Sequence, residues 1–167
     1  MTRREILAAG TVFAGLAAGF GSLFGGGQAQ GKEGKFPLSL SDEEWKKRLT
    51  PEQYAVLRQE GTERPFTSPL NHNKEAGLYT CAGCDHPVYS SATKFDSGTG
   101  WPSFWEAVAG GVGTSSDYKL LYPRTEVHCA NCGGHLGHVF DDGPKPTGMR
   151  HCINGVALSF KAGPTAS

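Results

Sequence analysis

Hydrophobic and polar positions change their rhythm once along this chain. Up to Pro65 they follow helical spacing, and beyond it they break into short runs separated by Gly, Pro, Asp and Asn. Ser41-Asp42-Glu43-Glu44 has the form of a capping box, in which the serine hydroxyl and the glutamate carboxylate each satisfy an orphan backbone amide, so a short helix is predicted through Leu49. Thr50-Pro51-Glu52-Gln53 repeats the pattern with Pro at the first helical position, and Gly61 stands where a C-terminal cap belongs, which predicts a second helix over 51–59. Strands are predicted at Leu78 to Cys81, Val88 to Ser90, Lys119 to Tyr122, Glu126 to Cys129, Leu136 to Phe140 and Val156 to Phe160. In the last run Val156, Leu158 and Phe160 share one face and Ala157 and Ser159 the other. The fold class is therefore mainly β (α+β): a small antiparallel domain behind a helical lead at 41–60.

Upstream of these elements, Ile6 to Phe24 is a run of nineteen uncharged positions behind Arg3-Arg4, ending in the small-residue stretch Gly27-Gln28-Ala29. A charged front, an apolar middle and a small-residue stop are the three regions of a bacterial export signal. Thr2-Arg3-Arg4-Glu5-Ile6-Leu7 resembles the twin-arginine motif. Residues 1–29 are thus expected to be a twin-arginine signal cut after Ala29, giving an exported, periplasmic protein. The alternative is a permanent membrane anchor, against which the seven glycines of residues 1–29 argue. Residues 30–40 read as a linker, 41–163 as the domain and 164–167 as a tail. No stable anchor is expected once the signal is removed.

Length and charge narrow the class. A chain of 167 residues is sized for one domain, and 16 basic against 16 acidic residues give no field that would attract phosphates, so nucleic acid is not an expected partner. A monomer is expected. Five cysteines, an odd count, suit four ligands plus one working thiol, or two disulfides plus a free thiol. Cys81-Ala-Gly-Cys84 and Cys129-Ala-Asn-Cys132 are two C-x-x-C knuckles with 44 residues between them, the spacing of one tetrahedral zinc site. Two disulfides remain the alternative in an oxidising compartment, but a bridge inside each knuckle closes only a tiny loop, whereas a shared metal ties two distant hairpins together. A closed four-cysteine site is structural, so the chemistry lies elsewhere.

Cys152, in Arg150-His151-Cys152-Ile153-Asn154, has no spacing partner. Alone it reads more readily as a buried small hydrophobe than as a nucleophile whose thiolate is stabilised by the positive charge of Arg150 and, when protonated, His151.

Phe95-Asp-Ser-Gly-Thr-Gly-Trp-Pro-Ser-Phe104, Cys129-Ala-Asn-Cys-Gly-Gly-His-Leu-Gly-His-Val-Phe-Asp-Asp-Gly-Pro144 and Arg150-His-Cys-Ile-Asn154 together resemble the B-type peptide methionine-R-sulfoxide reductases, across roughly Leu40 to Lys161. The resemblance implies two antiparallel sheets, with one structural zinc at the end opposite the active site. It implies that Cys152 attacks the sulfur of a methionine-R-sulfoxide in an oxidised protein or peptide and becomes a sulfenic acid. His135 and His138 are then the candidate acids, with Asp142 as the carboxylate orienting them, and the segment is kept slim by Gly137. By strand alternation the two histidines face opposite sides, so a bulge must intervene if both line one pocket. Trp101 matches the family's pocket tryptophan, Arg150 would stabilise the thiolate, and Asn154 would bond to nucleophile or substrate. Phe104 and Trp105 read as core, and His72, His86 and His128 as surface or structural residues.

Two positions depart from the family pattern. Thr99 stands where many members carry a resolving cysteine, so an external thiol, thioredoxin-like, is expected to reduce the enzyme. His151 stands where an aromatic is usual, and it is expected to add positive charge beside Cys152 at low pH. The competing function is a non-enzymatic zinc-binding partner module on the same scaffold.

Overall fold

A computed structural model describes residues 36–164. The expected export signal, residues 30–35 of the linker and 165–167 of the tail lie outside the described residues. Two helices open the fold, α1 (Asp42–Arg48) and α2 (Pro51–Leu57). Both capping boxes form: Ser41 and Glu44 exchange bonds at one N-terminus, and Thr50 and Gln53 at the other. The second helix stops two residues short of the expected end. Its left-handed residue is Glu60 (φ 55°) rather than Gly61. Glycine is needed at 61 for another reason, because a Cβ there would sit 2.8 Å from the Ala55 carbonyl oxygen.

Among the described residues nine strands follow: β1 (Gly77–Cys81), β2 (Pro87–Ser90), β3 (Lys94–Phe95), β4 (Ser103–Phe104), β5 (Val112–Asp117), β6 (Arg124–Cys129), β7 (His135–Phe140), β8 (Arg150–Ile153) and β9 (Leu158–Ala162). They form two antiparallel sheets, ordered β2-β1-β9 and β3-β4-β8-β7-β6-β5. The expected mainly β fold is thus observed. Tyr79, Tyr89, Phe104, Val127, Leu136 and Ile153 are fully buried at its centre, where the Tyr89 ring stacks on Phe104 at 4.3 Å. The helices close one end: Arg58 donates to the Cys132 carbonyl and lies over the Trp45 ring.

Three sequence expectations are corrected. Lys119 to Tyr122 is no strand but the exposed link between β5 and β6, with Leu121 fully solvated. The strand lies just upstream, where Val-Gly-Thr-Ser-Ser-Asp has little apolar pattern because β5 is an edge that faces water. Gly155–Ala157 forms a 3-10 turn, so Val156 does not belong to the last strand, which starts at Leu158. Trp105 is only partly buried, whereas Phe104 is core as expected.

Candidate functional site

The larger sheet turns one face to the core and gathers polar groups on the other. In β8 the alternation sends His151 and Ile153 inward and Arg150 and Cys152 outward. His151 accordingly packs edge-on against Tyr89 and hydrogen-bonds its hydroxyl, and burial lowers its pKa. Burial thus disfavours its charged form, and its ring lies on the core face of the sheet, opposite to the face that carries Cys152, so it does not stand beside the thiol as the sequence expectation had it.

Cys152 lies directly opposite Ser103 on one side and His138 on the other. Directly opposed side chains share a face at close range. His135 joins them through the bulge that alternation demanded: β6 pairs Val127 with Gly137 and His128 with His135, so Leu136 is the extra residue. The two imidazoles meet edge-on at 5.3 Å. The bulge leaves the Leu136 carbonyl to accept from both the backbone amide and the side-chain Nδ2 of Asn154. Asn154 Oδ1 in turn accepts from the Glu63 amide. Asn154 thus fastens the bulge, and its amide bonds neither the thiol nor open space, which corrects the expected role. Gly137 has a steric reason, since a Cβ there would fall 2.1 Å from the Cys152 carbonyl oxygen.

The carboxylates serving the histidines are ones the sequence reading missed. His135 Nδ1 donates to buried Glu126 at 2.8 Å, and His138 Nε2 donates to Asp117 at 2.7 Å. Asp142 does not stand behind them. It accepts from Arg150 Nε and Nη2, each at 2.8 Å, and Arg150 lies over the Phe140 ring. No motif marks Glu126 or Asp117; only the strand register, bringing Glu126 opposite His138 and Asp117 opposite Arg124, selects them.

Burial pushes the His138 pKa down, and the Asp117 bond opposes the shift. Asp117 is disfavoured as an anion by burial, yet the Lys119 amide, His138 and Arg124 together hold its carboxyl well below the usual range. Burial pushes the Cys152 thiol up, and Thr99 and Arg150 act the other way. Thiol and imidazole are therefore both biased toward their neutral forms.

Thr99 reaches Cys152 from a loop bent by two left-handed glycines, Gly98 (φ 70°) and Gly100 (φ 92°), its Oγ1 lying 3.9 Å from the sulfur. Trp101 follows. Its indole donates to the Glu63 carbonyl at 3.1 Å, while the Glu63 carboxylate accepts from the amides of Gly155 and Val156. Glu63, another residue the motifs gave no sign of, thus ties Trp101 to the segment that follows Cys152. A cavity of about 670 Å³ beside α2, lined by Val56, Leu70, Val156 and Phe160 among others, contains none of Cys152, His135, His138 or Trp101.

At the turn joining β6 to β7, the sulfurs of Cys81, Cys84, Cys129 and Cys132 lie within 4.8 Å of one another. Cys81 and Cys132 are 3.7 Å apart and Cys84 and Cys129 3.5 Å, far beyond a disulfide bond of about 2.05 Å but near the roughly 3.8 Å edge of a tetrahedron with metal–sulfur bonds of about 2.3 Å. Gly133 (φ 68°) turns the second knuckle. These four cysteines can hold a metal ion, and their soft donor set suits zinc. Cys152 stands apart as the one other cysteine of the chain. His72 is exposed, His86 bonds the Gly110 carbonyl and His128 packs against Phe36, in keeping with structural or surface roles.

The SelR domain model matches residues 49–162. A protein of Methanosarcina barkeri called peptide methionine sulfoxide reductase MsrB is 60% identical over 125 residues, which are 74% of this chain and 88% of that one. The Agrobacterium fabrum protein of the same name is 57% identical over 74% of this chain and 93% of its own. Peptide methionine sulfoxide reductase B1, chloroplastic, of Arabidopsis thaliana is 56% identical over 74% of this chain and 62% of its own. By its matching domain and by these relatives, the chain belongs to the SelR-domain family, the MsrB peptide methionine sulfoxide reductases.

Proposed function

We propose that Cys152 is the nucleophile of a peptide methionine-R-sulfoxide reductase that repairs oxidised proteins. The observation that carries this is the direct pairing of Cys152 with His138, whose Nε2 is committed to Asp117. With Nε2 held, Nδ1 is the nitrogen that exchanges a proton. His138 takes the thiol proton as the sulfur attacks the substrate sulfur, then delivers it to the sulfoxide oxygen. The S–S bond made in the attack and the S–O bond of the substrate then both break as the oxygen passes to the Cys152 sulfur, so that methionine leaves and Cys152 is left as the sulfenic acid. Arg150, held by Asp142, stabilises the thiolate, and the Trp101 indole walls the substrate methyl group. The relatives' names favour this enzyme over a non-enzymatic metal-binding module.

One external thiol then attacks the sulfenic acid, releasing water and leaving a mixed disulfide, and a second thiol restores Cys152. A thioredoxin-like protein fits this need, because Thr99 occupies the place of a resolving thiol and the other four cysteines form the metal cluster. That metal is one zinc ion, held by Cys81, Cys84, Cys129 and Cys132 in a closed structural site.

The test is turnover of a dabsylated methionine-R-sulfoxide with dithiothreitol, beside the S epimer. Cys152→Ser should abolish R-specific reduction, and activity above a few per cent in that variant would identify another nucleophile. One equivalent of substrate given to reduced wild type should leave a single dimedone adduct on Cys152 with the metal retained. A loss of two hydrogens with metal release would make a knuckle cysteine the resolving thiol.

Export to the periplasm by the twin-arginine route, with cleavage after Ala29, is supported by the sequence of residues 1–29. Arg3→Lys with Arg4→Lys should trap the precursor inside, and normal export of that double variant would contradict the route.

A further inference from the structure

We propose that Thr99, Ser97 and Ser103 form a reversible hydroxyl chain that accepts a hydrogen bond from the Cys152 thiol and donates one to its thiolate, with the Trp101 carbonyl as the far end. The proposal rests on Cys152 as the nucleophile. The links are short and consecutive: Thr99 Oγ1 is 2.8 Å from Ser97 Oγ, Ser97 Oγ is 2.7 Å from Ser103 Oγ, and Ser103 donates to the Trp101 carbonyl at 3.2 Å. Ser103 is fully buried and sits opposite Cys152 in the sheet, and Thr99 closes the chain onto the sulfur.

The polarity follows from proton accounting. Each hydroxyl has a single hydrogen, and a carbonyl can only accept. With the Ser103 hydrogen on the Trp101 carbonyl, the Ser97–Ser103 bond must use the Ser97 hydrogen, and the Thr99–Ser97 bond the Thr99 hydrogen. Thr99 then has only a lone pair to offer Cys152. In this state the chain suits the neutral thiol. Ionisation reverses every link: Thr99 donates to the thiolate, Ser97 to Thr99 and Ser103 to Ser97, and the Trp101 carbonyl gives up its Ser103 bond. The thiolate thereby gains a charge-assisted bond, but at the expense of a backbone contact in the residue that walls the substrate methyl. Charging the nucleophile and adjusting its pocket become one event.

The chain predicts shifts of opposite sign from neighbouring residues. Removing Thr99 takes away the donor to the thiolate. Removing Ser97 or Ser103 frees Thr99 to donate without a reversal. The other charged groups around Cys152 stay unchanged in all these variants: His138 with Asp117 and Arg124 behind it, Arg150 with Asp142, and Asp96 at the loop's start, whose carboxylate accepts from the Gly98 amide.

The experiment measures the pH dependence of iodoacetamide alkylation in the full-length, metal-loaded protein, quantified on the peptide carrying Cys152. Thr99→Val should raise the apparent pKa of Cys152, while Ser97→Ala and Ser103→Ala should lower it, each by about half a unit to one unit. Serine variants that shift upward, or that leave the profile of wild type, overturn the chain. Ser97→Ala carries the same sign as Ser103→Ala from a site that is only half-buried, so the test survives misfolding of the buried variant. The readout is a titration, not turnover. A wild-type protein without reductase activity would therefore undo the functional reading while leaving this answer intact.

Discussion

Thr99 Oγ1 and Cys152 Sγ face each other at 3.9 Å, across 53 positions of sequence. A sulfur at position 99 would have to close that distance to bond with Cys152 at about 2.05 Å. Thr99→Cys should therefore convert the dimedone-reactive form into an internal disulfide after one equivalent of substrate, read as the loss of two hydrogens in the intact mass with the metal still bound. A persistent dimedone adduct in that variant would show that the loop cannot bring residue 99 onto the sulfur.

Asp117 is expected to link stability and, through His138, the reaction to pH. Its carboxyl titrates lower in the folded chain than in the unfolded one, so its contribution is complete above the unfolded value of about 4 and is lost as pH falls toward the folded value. Asp117→Asn should lower stability at pH 7 by about 1–3 kcal/mol and flatten the acid limb of the stability profile. It also removes the negative charge beside His138 that opposes the burial-driven fall of its pKa. The acid limb of the rate profile, where protonation of His138 removes the base that takes the thiol proton, should move to lower pH, and kcat should drop about tenfold or more. Unchanged rate and melting profiles would exclude Asp117 from both roles.

Gly137→Ala tests the closeness of β7 and β8. A methyl group 2.1 Å from the Cys152 carbonyl oxygen and 3.0 Å from the Ile153 Cα meets backbone on both counts and cannot be relieved by a rotamer change. The variant should lose about 3 kcal/mol or more, with activity falling below a tenth of wild type in whatever soluble protein remains. Wild-type melting would mean the strands are further apart than described.

Removal of the metal should unfold the domain. Thiolate sites of this kind contribute about 10–16 kcal/mol in peptide models, against about 5–15 kcal/mol for the whole stability of an ordinary domain. Elemental analysis should find one zinc per chain, and chelation should abolish the cooperative melt. A chelated protein with an unchanged Tm would refute a structural metal.

Residues whose role is local were legible in the sequence, and residues whose role is a partnership were not. The capping boxes of α1 and α2 and the two cysteine knuckles need only their own neighbours, and each is formed as its spacing indicates. The need for a bulge could be deduced from His135 and His138, because alternation alone forbids them a common face. Its position at Leu136, and the use of Asn154 to satisfy it, depend on a pairing eighteen residues away. Glu126, Asp117 and Glu63 carry no motif at all. Asp142 misled because it lies close to the histidines in sequence, whereas a bidentate guanidinium outcompetes a more distant imidazole for its oxygens. The run Lys119 to Tyr122 misled in the same way, since periodicity cannot report that a segment is solvated.

The clasp made by Glu63 has a consequence for the order of assembly. It joins residues 92 and 93 positions apart, and β1 must likewise wait for β9 to arrive before its second edge is paired. Contacts this distant in sequence close slowly, because the intervening loop must first be ordered. On a growing chain, therefore, Trp101 and His138 both emerge before Cys152, and the strand that seals the smaller sheet emerges after it. Until the last strand has left the ribosome, Cys152 is an ordinary cysteine on an unfinished surface. Its reactivity belongs to the completed domain and to no fragment of it.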